Sequence, residues 1–152
     1  MNDLPYTLVK YVHVLAAMVW VGGVFYSQVL AARAGRSDDP TELPRTARAI
    51  GALGLRIFLP TAIILFIAGF TLVLNRWQFS SLWVSLGMAT WLILVLSGAL
   101  YLGPNGEKVG KLFATEGPTS VAARAGLSKI FLVTRLQLVL LAFVVFLMVA
   151  KP

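Results

Sequence analysis

Apolar residues in this chain gather into four long blocks joined by polar connections. The blocks run from about Tyr6 to Leu30, Arg56 to Leu74, Leu82 to Leu102 and Phe131 to Ala150. A helix needs about 20 predominantly apolar residues to cross a hydrocarbon layer of about 30 Å, and each block is near that length. In lipid, only helices and closed barrels satisfy their own backbone hydrogen bonds. The alternating segments of about ten residues that a barrel requires are absent. The pattern therefore predicts an all-α fold, a four-helix transmembrane bundle that forms a single transmembrane domain over residues 1–152.

The polar connections refine this picture. Ser37-Asp38-Asp39-Pro40 is a turn, and Pro44 suits the first turn of a helix, so the second spanning helix is expected to start near Pro44, ahead of the lipid. Pro60 removes one backbone donor inside that helix and predicts a kink. Gly103-Pro104-Asn105-Gly106 and Gly117-Pro118 break the third connection into short helical or surface-lying pieces. Ser81, Ser85 and Ala89, with the Gly22-Gly23 pair, are small residues that allow helices to approach closely.

Composition agrees with the pattern: 59% of residues are hydrophobic and 12% are charged, against about 25% charged in an ordinary globular domain. The chain opens Met1-Asn2-Asp3 without a basic stretch, and the apolar run to Ala31 exceeds a signal-peptide core, so the first block reads as a spanning helix. The net charge of +7 follows topology and does not point to nucleic acid. Arg33, Arg36, Arg45, Arg48 and Arg56 flank the first connection, and Lys108, Lys111, Arg124, Lys129 and Arg135 flank the third. Lys10, Arg76 and Lys151 hold the opposite side. Basic residues favour the cytoplasmic face, which predicts both termini outside, with Trp77, Phe79 and Trp83 as an aromatic belt there.

Chemistry has few carriers. The chain has no cysteine, which removes disulfides and thiolate metal sites. None of the six acids lies in a spanning block, which argues against a carboxylate-driven proton pump. His13 is the only histidine, and ionisable groups inside a membrane tend to be functional. Lys10, His13, Ala17, Trp20, Val24 and Ser27 recur at three- and four-residue spacing and share one helix face, with Gln28 beside them. A neutral imidazole ligates haem iron or copper, or relays a proton. It also serves as a hydrogen bond that orders the bundle. Lys10 reads either as a site residue or as a side chain reaching the outer surface, and Trp20 and Trp91 either as packing or as a platform for a macrocycle. In an up-down bundle Met88 and Met148 fall at the depth of His13, and thioethers suit copper(I) or an axial haem position. Arg135, with Thr134 and Gln137, marks the inner membrane boundary or meets an anionic lipid.

Lys10-Tyr11-Val12-His13 followed by Trp20-Val21-Gly22-Gly23-Val24-Phe25-Tyr26 resembles the first helix of the HemJ-like membrane proteins. Arg56-Ile57-Phe58-Leu59-Pro60 with Gly69, and the closing Lys151-Pro152, continue the likeness. The His…Trp-x-Gly-Gly pattern is also similar to the CopD-like copper-resistance family. The short fourth helix and the Lys-Pro end resemble most an uncharacterised branch of predicted integral membrane proteins. The resemblance implies a four-helix bundle that binds haem b or a porphyrin through His13, with Trp20 against the ring. The HemJ-like enzymes carry a lysine in helix three and Asn-Glu after the arginine of helix four. Here Leu82 to Leu102 has no lysine, and Arg135-Leu136-Gln137-Leu138 stands at the second place, so the expectation leans away from an enzyme and no catalytic residue is assigned.

Three functional readings follow. The first is haem or porphyrin binding, with cofactor-contacting residues drawn from His13, Trp20, Lys10, Met88 and Met148. The second is a non-catalytic accessory subunit of a larger membrane complex, or a homo-oligomer. The third is passage of copper or another small solute, with His13 as the metal ligand. The expected location is the bacterial cytoplasmic (inner) membrane.

Overall fold

The computed structural model describes residues 4–150; Met1–Asp3 and the Lys151-Pro152 end, which entered the reading of topology and resemblance, lie outside the described residues. The described chain is helical from end to end apart from short connections. Helix α1 spans Leu4–Ala34, α2 Glu42–Leu53, α3 Leu59–Arg76, α4 Leu82–Ser97, α5 Gly103–Glu116 and α6 Val121–Ala150. A π-turn, Gly54–Phe58, joins α2 to α3 without a break, and a second, Gly98–Leu102, joins α4 to α5. Four continuous helices are thus long and apolar enough to cross a membrane: Leu4–Ala34, Glu42–Arg76, Leu82–Glu116 and Val121–Ala150.

The two π-turns share a sequence reason. Each opens on glycine and is followed by proline six positions after that glycine, as Gly54…Pro60 and Gly98…Pro104. In a regular α-helix the proline ring collides with the carbonyl four residues back and leaves that carbonyl without a donor. Here the Leu59 N–H reaches the Gly54 carbonyl, and the Gly103 N–H reaches that of Gly98. The widened turn absorbs the mismatch. The kink expected at Pro60 therefore takes the form of a π-turn immediately ahead of it, with the helix unbroken.

Helix α1 packs most extensively on α3 and also on α6, while α4 packs on α6 and α3. The four spans accordingly form a ring in the order α1, α3, α4, α6. Their shared core gathers Trp20, Val24, Ala62, Leu94 and Leu141. The second and third spans are each 35 residues long, or roughly 50 Å at 1.5 Å per residue. That exceeds the hydrocarbon by about 15 residues. The excess is α2 and α5, which meet the start of α6 around a second core of Val109, Phe113, Ala123 and Leu127. Charged Glu42, Arg45, Arg48, Glu107, Lys108 and Lys111 cover this cap. The short helical piece expected in the third connection is thus α5, continuous with the third span and packed into the cap.

Connections and ends follow local chemistry. Asp39 Oδ1 accepts the Thr41 N–H (2.8 Å) and hydroxyl (2.7 Å) ahead of α2. These bonds, the backbone one first, hold its carboxyl below the usual range. Helix α6 begins ten residues before the apolar block because Ser120 Oγ accepts the Ala123 N–H at 3.1 Å, an N-cap. At the opposite end, Trp77 and Trp83 meet edge to face at 4.9 Å and Arg76 lies 4.4 Å over the Tyr6 ring. The small-residue stripe of the third span faces the wrong way for packing. Ser85 and Ala89 are exposed, Ser85 Oγ turns back to the Phe79 carbonyl at 2.7 Å, and Val84, Gly87, Thr90 and Leu94 form the buried face.

Candidate functional site

The helix-one stripe is real from its middle onward: Trp20, Val24 and Ser27 are buried, with Ala16, Ala31 and Ala34. His13 lies half-buried against α3. Its Nδ1 is 3.1 Å from the Leu65 carbonyl oxygen. A carbonyl only accepts, so Nδ1 carries a proton, and in the neutral ring Nε2 holds the lone pair. The ring lies over Gly69, where a Cβ would stand 2.9 Å from His13 Cε1 and 3.1 Å from Nδ1. Glycine one turn beyond the accepting carbonyl is what lets the imidazole press flat on the neighbouring helix.

Nε2 takes no hydrogen bond among the described residues. No buried side-chain nitrogen or oxygen there lacks a partner, so Nε2 reaches the accessible surface. The result is an imidazole oriented by its second nitrogen and open at its first.

The other sequence candidates fall differently around it. Lys10 is exposed on the turn before His13. Trp20 is 8% exposed and belongs to the bundle core. Trp91 donates its Nε1–H to the Ala62 carbonyl at 3.0 Å and stacks on Phe66 at 4.4 Å, packing with the N–H bonded across the bundle. Met148 lies against α4, its Cε where a Cβ on Gly87 would be 2.5 Å away. Met88 is half-buried on α4, diagonal from α1 in the ring. Neither methionine shares a helix with His13. Nor do three His, Cys, Asp or Glu side chains come together anywhere among them.

Polar chemistry also gathers at the end of the bundle that carries the cap. The Gln28 side-chain amide donates to Thr134 Oγ1 and, at 3.4 Å, to the Phe131 carbonyl. Gln28 Oε1 accepts the Arg135 Nε–H at 3.3 Å. Half a turn on, Gln137 donates to Ser97 Oγ at 2.6 Å, and Ser97 donates to the Leu94 carbonyl. Helix α6 is thereby bonded to α1 on one side and α4 on the other. These residues stand out in the sequence as polar groups near a membrane boundary, but their pairing is a matter of register between helices. Gln137→Leu is expected to cost about 0.6 kcal/mol and no more than about 1.7, the range of interhelical hydrogen bonds in lipid. Unfolding in a denaturing detergent series measures it, and a larger loss would mean that the bond organises α4 as well.

The fold and these sites define a polytopic α-helical membrane protein with an oriented imidazole set between its first two spans. Over residues 7–152 the chain matches the family described as "Predicted integral membrane protein (DUF2269)". It belongs to that family. Neither a curated protein nor a solved structure matches it.

Proposed function

We propose that this membrane protein holds a haem or porphyrin, with His13 Nε2 as the axial ligand. The observation that supports this reading is the hydrogen bond from His13 Nδ1 to the Leu65 carbonyl, with Nε2 left open. Metal-ligating histidines almost always donate their second ring N–H in this way, which fixes tautomer and orientation before the metal arrives. The likeness of the Lys10…His13…Trp20 segment to the HemJ-like proteins points in the same direction, and α4, like the sequence block, carries no lysine. The reading is one of binding, with no catalytic residue assigned.

The ligand count favours a macrocycle over a bare copper ion. A porphyrin brings four nitrogen donors and needs one from the protein, whereas copper needs several from the chain. No group of three His, Cys, Asp or Glu side chains forms around His13 or elsewhere among the described residues. With both termini outside, as the loop charges imply, His13 stands in the outer half of the bilayer of a bacterial cytoplasmic membrane. Lys10, one turn nearer the surface, then suits a propionate. A second reading rests on the same open Nε2: in an accessory subunit it accepts a hydrogen bond from a neighbouring membrane chain.

The deciding experiment is the visible spectrum of protein purified in mild detergent from cells supplied with haem precursor, beside His13→Ala. The expected result is a Soret band in the wild type that the variant loses, with imidazole in the buffer restoring part of it. A colourless wild-type protein that elutes as a folded species sinks the haem reading and leaves the accessory-subunit reading.

A further inference from the structure

Far along α1 from His13, Arg135 stands on apolar ground at the seam of α1 and α6, and Arg33 and Arg36 follow at the end of α1 and in the turn after it. Arg135 is exposed, and its only described bond is the one from Nε–H to Gln28 Oε1. That bond pins the inner edge of the guanidinium to a neighbouring helix and leaves both terminal nitrogens open. Around it Leu132, Leu136 and Val139 are each more than half exposed, so the guanidinium emerges among side chains that face lipid. At the end of α1 and in the turn after it, Val29, Ala32, Arg33, Arg36 and Ser37 line a surface cavity of about 590 Å³. Its apolar end, Val29 and Ala32, starts at the depth of Gln28. Its basic end begins with Arg33, five residues on and roughly 8 Å farther along α1. Arg33 and Arg36 enter no ion pair among the described residues.

We propose that this seam is a binding site for an anionic phospholipid. The open edge of Arg135 takes the phosphodiester, Arg33 and Arg36 add positive potential on the headgroup side, and the acyl chains run the other way over Leu136 and Val139. A basic side chain that merely marks a membrane boundary is mobile and untethered. Arg135 is held by an amide that is itself fixed to Thr134 and the Phe131 carbonyl, so its donors are set before the ligand arrives. A planar guanidinium presents two parallel N–H groups to a phosphate, which an ammonium does not. The site needs no haem at His13 and stands independently of that proposal.

The test uses the full chain in detergent, with phosphatidylglycerol, phosphatidylcholine and inorganic phosphate as probes and native mass spectrometry as readout. Phosphatidylglycerol is expected to be retained at least about tenfold more tightly than phosphatidylcholine, the scale of a charge-assisted pair. Arg135→Gln is expected to remove about tenfold of that preference. Gln28→Leu keeps the charge but frees it, and is expected to remove a smaller part. Arg33→Gln with Arg36→Gln lies at the exposed end of α1 and reports even where Arg135→Gln fails to fold. Equal retention of both lipids, or a preference unchanged in the double variant, overturns the site. Displacement of phosphatidylglycerol by millimolar inorganic phosphate would make this a free-anion site and overturn the lipid assignment.

Discussion

Gly69→Leu is expected to destabilise the membrane-spanning part of the chain by about 2–4 kcal/mol. The figure joins about 1–3 kcal/mol for overpacking to about 1 kcal/mol for the lost hydrogen bond. The first added atom, Cβ, would already lie 2.9 Å from His13 Cε1, and the remaining three carbons occupy the space of the ring. The imidazole must leave α3, and the bond to the Leu65 carbonyl breaks with it. Between α1 and α3, the most extensive contact in the bundle, little else can move. Gly87→Ala is the control. Its Cβ would come still closer to a neighbour, 2.5 Å from Met148 Cε, but that atom ends a flexible chain and can swing aside. A melt followed by tryptophan fluorescence should place Gly69→Leu roughly 5–15 °C below the wild type, with Gly87→Ala within a few degrees. If Gly69→Leu melts with the wild type, the close seating of His13 on α3 is wrong. If it also binds haem normally, His13 does not depend on Leu65 for its orientation.

What the sequence carries of this architecture is what depends on local pattern. The four spans are legible because the solvent is a hydrocarbon layer of fixed thickness, and apolar length answers to that thickness directly. The Trp20, Val24 and Ser27 stripe is legible because helical period dictates which residues share a face. The depth of Met88 and Met148 followed from counting residues, whereas their direction around the helix axis depends on which spans are neighbours. The ring order puts α4 across from α1 and turns Met148 towards Gly87. His13 stands out as a lone imidazole, but its partner is a backbone carbonyl, which every residue has. Gly69 gives its reason only once the ring above it is seen.

The Gly…Pro spacing and Ser120 are different cases, because the signals are present in the chain. A serine three residues before the amide it caps, just after Gly117-Pro118, announces the start of α6. Two glycines, each six positions before a proline, mark the two π-turns. Reading Gly103-Pro104 as a terminator hides the fact that a π-turn can carry a helix through proline, and so hides the cap.

That cap gives the second large effect: Phe113→Ala is expected to unfold α2, α5 and the start of α6 while leaving the spans associated. Phe113 is 7% exposed in the cluster with Val109, Ala123 and Leu127, and truncating a buried phenylalanine costs about 3–5 kcal/mol. A cluster with four buried members has little to set against such a loss. The two cores answer to different forces. Outside the lipid, burying Phe113 removes apolar surface from water, and the hydrophobic effect holds the cap together. Between the spans, leaving a neighbour means meeting lipid of equal apolarity, and association rests on packing and on bonds such as Gln28–Thr134 and Gln137–Ser97. Losing the first force therefore should not undo the second. The π-turns at Gly54 and Gly98, each lying between a cap helix and a span, are where unfolding should stop. Trypsin in detergent reads the outcome: rapid cleavage at Arg45, Arg48, Lys108 and Lys111 in Phe113→Ala, with the α1 and α3 spans still co-eluting. Loss of the bundle together with the cap would show instead that the spans lean on the cap, and that the two cores fold as one cooperative unit.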